Sequence, residues 1–302
     1  MQKSILVTGA TGNVGREVSR SLLAMDQPVV ATVLDADHVH DVPEEGAALV
    51  VFDFTKPETF APALEGVQKL FLMRPPPISD VQSTLNIVVD QARGVGIEHI
   101  VFLSLMGVER NRFVPHHKVE QHIVSSGIPY TFLRPSFYMQ NLNTTHRDEI
   151  LERDEIFLPV GKAKTSFIDV RDIGAVGAQV LTEPGHENKA YELTGGEALD
   201  YYHVADLFTE ILGRKITYRN PSILRFVRAW RASDLPLKSV LVMAFLYTST
   251  RFGMAARVTQ DVEQLLGRPP ITVRQYITDY AKAWLATDGH VARRDTNQKP
   301  DL

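Results

Sequence analysis

The sequence predicts an α/β fold: a doubly wound parallel sheet with a smaller, mainly helical C-terminal part. Three observations carry this expectation. β-rich apolar runs alternate with amphipathic stretches from Met1 to about Arg134, several of those runs are apolar throughout, and the first strand-to-helix turn is rich in glycine. A strand covered by helices on both faces has no polar side to present, so continuous apolar runs belong to such a sheet.

Strands are expected at Ser4–Thr8, Val29–Val33, Leu49–Phe52, Lys69–Leu72, Ile100–Leu103 and Tyr130–Leu133, with helices between most of them. After Pro135 the alternation loosens into helices near Phe137–Leu151, Arg171–Leu181, Tyr202–Leu212, Ser222–Ala232, Val258–Leu266 and Thr272–Ala286, with short β pieces at Ile156–Leu158 and Ala190–Leu193. Residues 1–135 are therefore read as the sheet domain, 136–286 as a substrate-binding part interleaved with it, and 287–302 as a loose polar tail. The apolar run Ser239–Tyr247 is too short to span a bilayer and reads as a buried helix.

The bulk composition narrows the function classes. With 302 residues and 44% hydrophobic content the chain can bury a sizeable core. A net charge of −4 and the lack of a dense Lys/Arg tract argue against nucleic acid or an anionic membrane as partner. Cysteine is absent, which removes disulfides, thiolate nucleophiles and Cys-based zinc sites, so redox work needs a bound cofactor. The chain enters a strand at once, without the pattern of a secretory leader, and a cytoplasmic location is expected.

The first turn reads Thr8-Gly9-Ala10-Thr11-Gly12-Asn13-Val14-Gly15 between a buried strand and a helix. Gly9 permits the tight turn, Gly12 lets backbone approach a pyrophosphate, and Gly15 lets helix pack on strand, while N–H groups at the helix start face the anion. A glycine triplet alone is a weak signal; strand before and helix after turn it into a Rossmann-type dinucleotide site. Arg16 and Glu17 stand where a Walker motif needs Lys and Ser/Thr, which excludes that nucleotide loop.

Glycines three apart, together with Val101–Ser104, the His116-x-x-x-Glu120 stretch, Gly127–Thr131, Arg134–Phe137 with Asn141, and Phe167–Asp172, resemble the NmrA-like family of atypical short-chain dehydrogenases/reductases. The resemblance covers about residues 4–285. It implies NAD(P)H-dependent reductases of quinones, triphenylmethane dyes, isoflavones or clavine alkaloids, and also redox-sensing regulators that bind dinucleotide without turnover. The Tyr-x-x-x-Lys pair with which short-chain dehydrogenases usually protonate substrate is missing: no tyrosine has Lys four residues later.

In that absence the resemblance places His116 where isoflavone-type reductases carry a lysine, with Lys118 two residues on; His116, Lys118 and Ser104 are the catalytic candidates. His116 and Glu120 lie four apart on one helical face, so the carboxylate is expected to orient the ring and raise its pKa. His116-His117 lacks a third ligand for zinc, and no metal is expected. Ser104 ends the fifth strand on the cofactor side, where a helix or turn cap is the competing reading. Arg74 ends the fourth strand before Pro75-Pro76-Pro77 and is assigned to cofactor phosphate or substrate, the prolines equally suggesting a rigid entrance.

The remaining cofactor candidates are Leu34 and Asp35 after the second strand and Asp53 and Phe54 after the third. Met106, Phe137, Tyr138 and Asn141 are the substrate candidates, an aromatic wall and an amide suiting a flat ligand, although helical aromatic pairs are more often core. Leu34 and Asp35 favour NAD, because leucine offers no hydrogen bond to a 2′-phosphate and the carboxylate repels it; family resemblance favours NADP. The expected activity is hydride transfer to a small electrophilic acceptor such as a quinone, enone or iminium, with water or His116 supplying any proton. The alternative is an NAD(P)-binding sensor. The sequence leaves a homodimer open.

Overall fold

The computed structural model describes residues 4–35, 37, 46–231 and 236–285. In chain order the elements are β1 (Ser4–Val7), α1 (Asn13–Ala24), β2 (Val29–Val33), β3 (Ala48–Val51), α2 (Phe60–Leu64), β4 (Val67–Met73), α3 (Leu85–Val95), β5 (His99–Leu103), α4 (Pro115–Ser126), β6 (Tyr130–Pro135), α5 (Arg147–Arg153), β7 (Glu155–Phe157), α6 (Val170–Thr182), β8 (Lys189–Leu193), α7 (Tyr201–Leu212), β9 (Thr217–Arg219), α8 (Ile223–Trp230), α9 (Leu237–Arg251), α10 (Asp261–Leu266) and α11 (Val273–Asp279). They fall into two compact units: Met1–Tyr138 with Ser166–Glu197 and Arg257–Ile271, and Met139–Thr165 with Ala198–Ala256 and Thr272–Leu302.

The first unit is a Rossmann-like parallel sheet of seven strands in the order β3-β2-β1-β4-β5-β6-β8. Side chains alternate along each strand, so one apolar run feeds two cores. Leu6, Leu70, Leu72, Ile100 and Phe102 pack with α3 and α4 through Val88, Val89, Val119 and Ile123. Ile5, Val7, Phe71, Val101 and Leu103 pack on the other side with α1 and α6 through Val14, Val18, Ile173 and Val176. The β1 neighbours are β2 and β4, and the strand order reverses there, the switch point at which open α/β sheets bind ligands. Helices α1 and α6 meet closely because α6 supplies glycine: a Cβ on Gly174 would lie 2.5 Å from Glu17 Cβ, and one on Gly177 3.0 Å from Val18 Cγ2.

Three expected helices are shorter or broken. Phe137–Leu151 is interrupted: Tyr138 bridges to Ile168, a 3-10 turn covers Met139–Leu142, and α5 starts at Arg147. Thr144 Oγ1 donates to Gln140 O at 2.8 Å and His146 N to Asn141 O at 2.9 Å, local bonds that replace a helical ladder in this Asn/Thr-rich stretch. The helix expected from Val258 begins at Asp261, because Thr259 N is held by Thr194 Oγ1 at 3.0 Å and the Asp261 carboxylate accepts from Glu192 N at 2.7 Å. The last helix stops at Asp279 and is followed by a 3-10 turn, Ala281–Trp284.

In the second unit β7 and β9 form a parallel pair, and Trp284 closes a core with Phe208 and Tyr276 while donating its indole N–H to Leu142 O at 3.1 Å. Here the reading of Ser239–Tyr247 as a buried helix is corrected. The stretch is helical, within α9, but only Val240, Ala244, Tyr247 and Thr250 of that helix are buried; Leu241, Val242, Phe245 and Leu246 are exposed, since the core of this unit receives one face of α9 and not its circumference. No helix among the described residues is long and apolar enough to cross a membrane. The expected tail, 287–302, lies outside the described residues, as do Ala232 and Ala286.

Candidate active site

The glycine turn is held by hydroxyls at the strand ends. Thr8 Oγ1 donates to Phe71 O at 3.0 Å and accepts from Met73 N at 2.9 Å, tying the end of β1 to β4, and Gly9 N donates to Thr32 Oγ1 at 3.1 Å. Gly9 has φ +65, and a Cβ there would lie 2.1 Å from Met73 Sδ; a Cβ on Gly15 would lie 2.2 Å from Gly9 O. Gly12 is the N-cap of α1, no side chain caps this helix, and its first turn holds no acid. The N–H groups of Asn13, Val14 and Gly15 thus open the helix towards an anion, with Thr11 exposed beside them, which fits a pyrophosphate. Sequence reasoning misses Thr8 and Thr32; a threonine closing a strand before a glycine turn is the signal that finds the first of them.

Past β2, Leu34 is exposed and Asp35 Oδ1 accepts from Asp37 N at 3.0 Å. Asp53 is occupied locally: burial acts to raise its pKa, but the Thr55 N–H and hydroxyl at 2.8 and 2.7 Å, with Lys56 nearby, hold the carboxyl below its usual value. Phe54 is buried edge-on against Phe52, ring centroids 4.9 Å apart, as part of the core.

His116 and Arg74 are brought together. Arg74 Nε donates to His116 Nε2 at 3.3 Å, and Arg74 Nη1 donates to the carbonyls of Pro75 and Pro76 at 3.0 and 3.1 Å. Burial, and secondarily the Arg74 charge, push the His116 pKa down to about 3. The expected pairing with Glu120 is therefore corrected, in partner and in sign. Glu120 is buried and bidentate to Arg134, Nε at 3.0 Å and Nη2 at 2.7 Å, because β6 places the guanidinium beside the carboxylate. The Nδ1 atom of His116 is buried without a hydrogen-bond partner, and so is Ser104 Oγ, whose backbone N–H donates to Leu133 O at 2.8 Å.

Lys118 is exposed on the opposite side of α4 from His116, near Asp80. Met106 is half-buried, its N–H donating to Pro135 O at 3.1 Å. Phe137 O accepts from Ile168 N at 2.9 Å, while Tyr138 packs against the α1 and α6 core, where burial raises its phenol above the ordinary value. Asn141, in the second unit, is half-buried and caps the turn before His146 through its carbonyl. The Phe167–Asp172 stretch serves the architecture. Asp169 caps α6 by accepting from Arg171 N at 2.9 Å, and buried Asp172 pairs with Arg268 at 2.8 Å and accepts from Ile271 N at 2.7 Å.

The model of the NmrA-like family matches residues 1–268. The chain belongs to the NmrA-like family. Among its NmrA-like relatives, the NAD(P)H azoreductase of Xenophilus azovorans is 33% identical, over 93% of this chain and 99% of that protein. The NADPH complex of quinone oxidoreductase 2 from Escherichia coli superposes with a TM-score of 0.83 at 26% identity, covering 92% of this chain and 99% of that one. The NADP(H) complex of the Citrobacter triphenylmethane reductase gives 0.80 at 26% identity, covering 91% and 99%.

Proposed function

We propose that this chain is an NAD(P)H-dependent oxidoreductase that reduces a small electrophilic organic acceptor, such as a quinone, enone or iminium, by hydride transfer. The observation that carries the reading is the uncapped, glycine-lined start of α1 at the sheet's switch point. When bound, the nicotinamide supplies the hydride. The chain's own residues bind and orient.

His116 acts in this reading as a neutral hydrogen-bond donor. Its Nε2 accepts from Arg74, which leaves the proton on Nδ1, and a pKa of about 3 keeps the ring uncharged at neutral pH. Nδ1–H and Ser104 Oγ–H, both buried without partners, are the donors offered to an acceptor oxygen on which charge develops. Water supplies the proton. Electrophiles that accept hydride without a strong acid suit such a site.

NADH is the proposed preferred dinucleotide: exposed Leu34 offers a 2′-phosphate nothing, and Asp35 opposes it. The test is to follow reduced-nicotinamide absorbance with NADH and NADPH across quinones, enones and iminium dyes. Oxidation that requires both protein and acceptor is the expected result. Tight dinucleotide binding without turnover over the whole panel overturns it in favour of a redox sensor.

A further inference from the structure

We propose that the outer faces of α8 and α9 form a docking surface for an anionic lipid bilayer, on which the protein lies without crossing it. Helix α9 sends Val240, Ala244 and Tyr247 inward, yet the other side carries Leu237, Leu241, Val242 and Phe245, between 49% and 60% exposed. Over Val240–Tyr247 the helix is apolar on every side, and such a stretch is ordinarily buried, so this face calls for a cover. Helix α8 turns Phe226 inward against Tyr247, ring centroids 5.6 Å apart, and leaves Leu224, Arg225 and Arg228 exposed. The two helices thus share one inner cluster and point their other faces outward.

Charge selects the cover. Neither helix contains an acidic residue. Segment 220–256 holds Arg225, Arg228, Arg231, Lys238 and Arg251 against Asp234 alone, although the whole chain carries −4. The expectation against an anionic membrane rested on that net charge and on the lack of a dense Lys/Arg tract, and this proposal departs from it on the charge of one segment. Exposed Leu and Phe bordered by Arg and Lys suit an interface where apolar groups enter the acyl boundary and cations meet headgroups. A second copy would bring the same cations face to face. At 15 residues, about 22 Å, α9 is too short to span the hydrocarbon and would lie along it.

The test is co-sedimentation of the full chain with phosphatidylcholine vesicles and with vesicles rich in phosphatidylglycerol. Binding is expected to the anionic vesicles only, and to fall at high salt. The pair Leu241→Gln with Phe245→Gln, and separately the pair Arg225→Gln with Arg228→Gln, should each weaken it by roughly tenfold or more, with an unchanged melting temperature because all four residues are exposed. Failure of the wild type to sediment with either vesicle, or undiminished binding by both double variants, overturns the proposal. So does a dimer in ultracentrifugation that Leu241→Gln with Phe245→Gln dissociates, which would make the face a contact between copies. None of these readouts depends on turnover.

Discussion

Arg74 Nε donates to His116 Nε2 across 3.3 Å, and this contact between the end of β4 and the first turn of α4 sets the character of the imidazole. A ring that accepts a hydrogen bond from a guanidinium in a buried place is neutral, with its proton on the far nitrogen.

His116→Ala is expected to lower kcat/KM by roughly ten- to a thousandfold on a good acceptor. Because the folded pKa is about 3, the ring keeps its charge state from neutral pH down to well below 5, so nitrogen NMR should find Nδ1–H and no titration near 6.5. A ring that titrates near 6.5, or unaltered kinetics of the variant, would return His116 to a surface role. Glu120→Gln separates the two partners: it should leave the His116 pKa in place while costing about 1 to 2 kcal/mol of stability, since half-buried Arg134 loses a bidentate carboxylate and keeps Glu109 at 3.6 Å.

Gly12→Val is expected to abolish dinucleotide binding in a folded protein. A Cβ at Gly12 already comes within 3.3 Å of Gly9 O, and two further methyl groups project where the pyrophosphate is proposed to sit. Calorimetry on a variant with a native circular dichroism spectrum checks this; unchanged affinity would place the dinucleotide elsewhere.

Dinucleotide choice is read from Leu34 and Asp35. NADH should bind at least as tightly as NADPH, and Leu34→Arg with Asp35→Ala should shift the ratio towards NADPH by roughly tenfold or more, by adding a guanidinium and removing a carboxylate. NADPH bound tenfold tighter by the wild type would sink the preference.

Acid should destabilise the fold between about pH 6.5 and 4. His99, His116 and His146 have folded pKa values lowered to about 4, 3 and 4, with burial the leading cause in each case. An unfolded histidine binds a proton from about 6.5 downward, so in this window the unfolded state holds more protons than the folded one. Stability is fully present above 6.5 and falls as pH drops towards the folded values. Urea midpoints measured across this range should fall steeply, and His99→Gln should flatten the slope. A flat profile in the wild type would contradict the burial of these rings.

Much of this was legible in the residues. β-rich apolar runs and the helical periods between them are local signals, so the strands Val29–Val33 and Tyr130–Leu133 and the turn Gly9–Gly15 follow from neighbours in sequence. The family-like motifs were also readable, but not the roles of their residues. Asp169 and Asp172, in the family-like stretch Phe167–Asp172, cap α6 and anchor Arg268. The broken helix after Phe137 escaped periodicity because the Thr144 hydroxyl donates to the Gln140 carbonyl and His146 N–H to the Asn141 carbonyl, local bonds that the apolar spacing does not report.

The sequence by itself therefore determined the sheet, its two-sided cover and the glycine turn, since each depends on spacing within a few residues. Only the tertiary structure decided that His116 answers to Arg74 and Glu120 to Arg134, and that α9 buries one side and exposes the other. Those outcomes depend on which groups a folded chain brings within about 3 Å across tens of residues, and on how much surface each core has room to cover, quantities that no local periodicity encodes.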